Sequence, residues 1–145
     1  MTFRRLFPFG PAMMAVIVAS GCSNSELIPP KTVPVSGSVT YKGKPAAGVR
    51  VKFHPQFNIG KLDFVPYGET GADGKYVLST GKPGNGAPKG EYLVTLEMPY
   101  IGVDPQDGLE SELDRLKGVY SDPYKNNWTV ILNDGENVLD PFQIQ

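Results

Sequence analysis

Three runs of this chain alternate apolar and polar side chains with a period of two, and each is bracketed by glycine or proline. In VPVSGSVTY, Val33, Val35, Val39 and Tyr41 share one phase, while Ser36, Ser38 and Thr40 take the other. In VRVKFHP, Val49, Val51 and Phe53 oppose Arg50, Lys52 and His54, and in EYLVTLEMP, Tyr92, Val94, Leu96 and Met98 fall on one side. Successive side chains of a strand point to opposite faces, so these runs are half-buried strands. The 17 glycines and 14 prolines favour turns over long helices.

The breaks carry turn chemistry. KGKPAAG is punctuated by Gly43 and Pro45, and Asp73-Gly74 separates two extended runs as a hairpin signal. WTVILNDGENVLDPFQIQ gives two final strands around Asn133-Asp134-Gly135. One helix is expected in DGLESELDRLKG, where Leu109, Leu113 and Leu116 form a stripe, Asp107 caps the start, Glu110 completes a capping box and Gly118 suits the C-terminal stop. It sits in a long connection, residues 100–127. About seven short strands with one such insertion predict an all-β fold, an immunoglobulin-like or prealbumin-like sandwich.

The N-terminus has a different character. Arg4 and Arg5 precede a mainly apolar stretch, Leu6 to Val18, followed by Ala19, Ser20, Gly21 and Cys22. The stretch is shorter than the ~20 residues a spanning helix needs, so a signal peptide over residues 1–21 is expected. The segment resembles the bacterial lipobox, a small-residue run ending Gly-Cys, with Ala19 where leucine is commoner. The resemblance implies a diacylglyceryl group on the Cys22 thiol and cleavage before it, and Ser23 then favours the outer membrane. From the residues alone, an ordinary signal peptide or a free thiol stays open. Residues 22–32 read as a tether stiffened by Pro29 and Pro30. The folded domain is expected over 33–145.

VPVSGSVTYKGKPAAGVRVKFHP, GETGADGKYVLST and GAPKGEYLVTLEMP, taken in order, resemble the carboxypeptidase-regulatory-like or transthyretin (prealbumin)-like module. NDGENVLDPFQIQ resembles the closing hairpin of short lipoproteins bearing it, and VYSDPYKNNWTV the loop before it. The resemblance implies a seven-stranded sandwich in a non-catalytic role and carries over no catalytic residue. The related hydroxyisourate hydrolases need several histidines and a C-terminal Tyr-Arg-Gly-Ser, whereas this chain ends Gln143-Ile144-Gln145.

Composition excludes several function classes. Cleavage before Cys22 would leave 12 basic against 15 acidic side chains, a formal charge of −3, which lacks the basic excess of a nucleic-acid footprint. One cysteine excludes an internal disulfide. His54, the only histidine, is expected on the exposed polar face without the partners a triad or zinc site needs. Asp104, Asp107, Glu110 and Asp114, and the group Asn133, Asp134 and Glu136, do not follow the EF-hand spacing. A covalent Lys–Asn isopeptide would need Lys52, Asn137 and Glu97 in contact. No cofactor and no metal are expected.

Phe57, Phe64, Tyr67, Tyr100, Tyr120, Tyr124 and Trp128 crowd the loops. They either roof the core or form a stacking surface, and Tyr120, Tyr124 and Trp128 are the candidates for a protein or glycan partner. The expected function is a membrane-anchored envelope lipoprotein with a non-catalytic binding or structural module. Its expected place is the outer membrane, facing the periplasm or cell surface. The alternatives are an accessory subunit of an envelope enzyme or transport system and, with least support, a small enzyme.

Overall fold

The computed structural model describes residues 30–59 and 65–145, so Cys22, most of the tether and Phe64 lie outside the described residues. The described chain is all-β, and no helix occurs in it.

Two sheets face each other. The first is antiparallel, with β11 (Thr129–Leu132), β8 (Gly90–Glu97), β4 (Arg50–Pro55) and β5 (Tyr67–Glu69) in that order. The second is built on β2 (Val35–Tyr41). β6 (Lys75–Val77) and β3 (Lys44–Pro45) pair with it antiparallel, while β12 (Asn137–Val138) and β13 (Phe142–Ile144) run parallel to it. Two ribbons complete the described chain. β1 (Thr32–Val33) pairs with β7 (Ala87–Pro88), and β9 (Pro99–Val103) pairs with β10 (Glu110–Asp114) as a hairpin extending from the end of β8.

The period-two reading of the three long strands holds. Val35, Val39, Val49, Val51, Phe53, Tyr92, Val94 and Leu96 are buried, together with Leu132, Phe142 and Ile144. Phe53 meets Tyr92 and Phe142 with ring centroids 5.7 and 6.5 Å apart, so the aromatics join the two sheets. Tyr76 crosses beneath β2, and a Cβ at Gly37 would lie 2.5 Å from its hydroxyl, so only glycine fits there.

Four expectations need correction. First, DGLESELDRLKG is not a helix. Glu110–Asp114 forms β10, which puts Leu113 opposite Tyr100, with Gly102 leaving room between them. An isolated twelve-residue helix is marginal in water, and β9 offers a ready edge that outcompetes it. The leucines then have separate fates: Leu116 enters the core and Leu109 stays exposed. Asp107 accepts from Leu109 N–H as a turn residue rather than a helix cap.

Second, the Asp73-Gly74 turn does not close an ordinary hairpin. It carries the chain from β5 in the first sheet to β6 in the second; Gly71 N–H donates to Lys75 C=O across the turn, and Tyr67 and Ser79 form a β-bridge between the two segments. Third, the closing segments do not pair with each other. After Asn133-Asp134-Gly135 the chain crosses sheets, and β12 and β13 lie parallel to β2. Fourth, the described residues form thirteen short strand segments rather than about seven.

The topology gives the sandwich two poles. β1, β7 and residues 80–86 and 133–136 lie at one end. The β2–β3 turn, the β9–β10 hairpin and the turn after β10 lie at the other. β8 runs between them, about 26 Å at ~3.3 Å per residue.

Candidate functional site

At the pole opposite β1 an open cleft of about 820 Å³ is lined by Tyr41, Ala47, Gly48, residues 98–100 and residues 114–117. Tyr41 ends β2. Lys42 and Gly43 follow with φ of 49° and 78°, the two left-handed positions of a tight hairpin turn between Tyr41 and its partner Lys44. The rim at 46–49 is clamped by buried Thr70. Its hydroxyl donates to Ala46 C=O (2.5 Å) and accepts from Val49 N–H (2.9 Å), and Gly48 N–H donates to Thr70 C=O (2.9 Å).

The opposite wall is organised by Asp114. Its carboxylate accepts from the backbone N–H of Met98 (2.8 Å), Leu116 (2.9 Å) and Gly118 (2.9 Å), which ties the hairpin base to the following turn. The acidic group is thus committed to the backbone. Buried Leu116 is the floor. Arg115 lays its guanidinium over the Tyr100 ring, 4.6 Å from the centroid, and Lys42 Nζ lies 5.1 Å from the Tyr41 centroid. Among the described residues neither Lys42, Lys44, Arg115 nor Lys117 has a carboxylate partner, whereas Arg50, Lys52, Lys89 and Lys125 each do. The cleft therefore offers aromatic faces and cations held in no ion pair among the described residues, chemistry suited to holding a ligand.

A second polar cluster lies on the outer face of the first sheet. Arg50 meets Glu112 at 2.9 and 3.4 Å and Glu97 at 3.8 Å, and Lys52 meets Glu97 at 2.9 Å. The hydrogen bond from Arg50 holds the Glu112 carboxyl below the usual carboxylate range, and Glu112 in turn raises Arg50. His54 is half-buried here rather than exposed as its phase suggested. Its Nε2 lies 2.8 Å from the hydroxyl of buried Thr95, and burial, then the charge of Lys52, pushes its pKa below the ordinary histidine value.

The sequence candidates separate. Tyr120 and Trp128 stack at 5.2 Å, Trp128 meets Phe142 at 5.3 Å, and both pack against the core. Tyr124 is 83% exposed and apart from that stack. Phe57 packs edge-on against Tyr92, and Tyr67 is half exposed. Lys52 and Glu97 pair, but the Asn137 amide is engaged with Asn133 and Gly135 in its own turn, so the isopeptide trio is not assembled. Asp104 and Asp107 accept from backbone N–H groups of their own loop. Among the described residues no group of three or more histidine, cysteine or acidic side chains is placed to hold a metal ion.

Sequence reading missed Tyr41, Arg115 and Lys117 as a group. Arg115 and Lys117 lay within the segment expected to be a helix, which does not form. The signal available was Tyr100, already among the loop aromatics.

No family model matches the chain, and no curated protein matches it. Solved structures similar to it include a 9R-lipoxygenase from Cyanothece, at 12% identity over 79% of this chain and 16% of that one, with a TM-score of 0.41. A DUF3823 family protein from Parabacteroides merdae is 19% identical over 77% of this chain and 45% of that one (TM-score 0.37). A candidate carbohydrate-binding protein from Pseudomonas aeruginosa is 10% identical over 80% and 90% (TM-score 0.42). The chain thus spans under half the length of the first two.

Proposed function

We propose that this chain is a non-catalytic binding module of the bacterial envelope, held by lipid on Cys22 and presenting the Tyr41–Tyr100 cleft to its ligand. One observation carries the reading. The cleft collects aromatic faces and unpaired cations at the pole opposite β1, where the chain arrives from the tether. A ligand held there is displayed away from the anchored end. A photo-crosslinking residue at exposed Ala47, on the rim, should capture a reproducible species in intact cells, while the same residue at exposed Pro83, at the other pole, should not. Equal capture at both positions, or at neither, refutes the cleft as the binding surface. An alkyne-palmitate label should enter the chain and be lost in Cys22→Ala. Its absence from the parent chain refutes the anchor.

A second reading, an accessory subunit of an envelope enzyme or transport system, is favoured by the outer face of the hairpin. Ile101 and Val103 are 69% and 61% exposed there, and Leu109 beside them is 65% exposed. Under that reading, capture would centre on Ile101 and involve a protein.

A further inference from the structure

Resting on the reading of the cleft as a binding site, we infer that its ligand is an acidic saccharide, a sugar chain bearing carboxylates. Three observations converge. Asp114, the only carboxylate lining the cleft among the described residues, has both oxygens taken by backbone N–H groups, so it forms no ion pair with Arg115 or Lys117 and leaves their donors free for a ligand. Arg115 lies over Tyr100 with no acidic partner among the described residues, so its planar donor fork is held in place before any ligand arrives. Such a fork matches a carboxylate through two parallel hydrogen bonds. Lys117 adds a second cation to the lining, and the neighbouring turn carries Lys44, the strand partner of Tyr41, and Lys42, whose Nζ lies 5.1 Å from the Tyr41 ring centroid.

The local charge runs against that of the molecule, whose formal net charge is −1. The remaining acidic side chains of the hairpin are elsewhere. Glu112 is bound to Arg50. Asp104, Asp107 and Glu110 lie at the tip, beyond the five residues of β9. Tyr41 and Tyr100 add ring surface for the apolar face of a sugar, which a bare polyanion site does not need. An open cleft of about 820 Å³ suits a segment of a chain that passes through it.

The test uses the full chain in detergent and three soluble polymers: polygalacturonate, its fully methyl-esterified form, and polyglutamate. Calorimetry should show binding to polygalacturonate alone, weakening as salt is raised. Arg115→Gln should weaken it at least tenfold with the melting temperature unchanged. Arg115→Lys should restore only part, because the charge returns without the fork. Lys117→Asn, which suits the backbone φ of 53° there, should weaken it with the fold kept. Equal binding of the methyl ester overturns the acidic ligand while leaving the cleft a sugar site. Equal binding of polyglutamate overturns the saccharide. No binding of any polymer overturns this inference, and the Ala47 crosslink then decides separately whether the cleft binds anything.

Discussion

At the residue scale, buried Tyr76 and the Gly37 it packs against are informative because they leave each other so little room. The Tyr76 ring is packed against Phe142, and its hydroxyl has no hydrogen-bond partner among the described residues. Burial pushes its pKa well above the ordinary tyrosine value. An unpaired buried hydroxyl carries a desolvation cost, so Tyr76→Phe should hold or raise stability, by up to about 1 kcal/mol in urea unfolding. Gly37→Ala should do the reverse, losing about 1–3 kcal/mol, because the added methyl has to displace the same ring. His54 makes a pH prediction. Its folded pKa lies below its unfolded value of about 6.5, so the unfolded chain binds more protons between the two. Stability from this group is complete above about pH 6.5 and is lost as the pH falls toward the folded value. Urea midpoints between pH 7.5 and 5.5 should drop for the parent chain and drop less for His54→Gln. Glu112, also lowered by its partner, acts in a more acidic window, below the ordinary carboxylate range.

At the scale of elements, the β9–β10 hairpin shows how a local pattern is overruled. Leu109, Leu113 and Leu116 satisfy a helical period, yet Leu113 also satisfies a period of two opposite Tyr100, and the pairing edge of β9 was available to accept it. The turn at Lys42-Gly43 shows the opposite case, where residue chemistry and structure agree without tertiary help. The hairpin stands off the sandwich and is braced at Arg50 by Glu112. Glu112→Gln should therefore speed hydrogen exchange of residues 99–103 and 110–114 while the melting temperature barely changes, since an exposed ion pair contributes little to global stability. A large fall in melting temperature would mean that the hairpin belongs to the cooperative core.

At the scale of the whole molecule, the two poles give the anchoring proposal a geometric consequence. An eleven-residue tether reaches at most about 40 Å even when fully extended. In liposomes carrying a quenching lipid, a fluorophore at Pro83→Cys should be quenched more than one at Ala47→Cys, provided Cys22 is acylated and its thiol consumed. Equal quenching would show that the domain has no preferred orientation. The all-β class, the inward phases of β2, β4 and β8, and the β2–β3 turn were legible in the residues because period and turn chemistry are local properties of the chain. The sheet to which each short strand belongs was not legible. Nothing local in NDGENVLDPFQIQ distinguishes pairing with the preceding strand from running parallel to β2, and that choice depends on where Phe142 and Ile144 find the core. The cleft was hidden for the same reason. Tyr41, Tyr100 and Arg115 come from separate parts of the chain, and only the packing of the hairpin base against the β2–β3 turn sets cation beside ring while Asp114 is drawn away to the backbone.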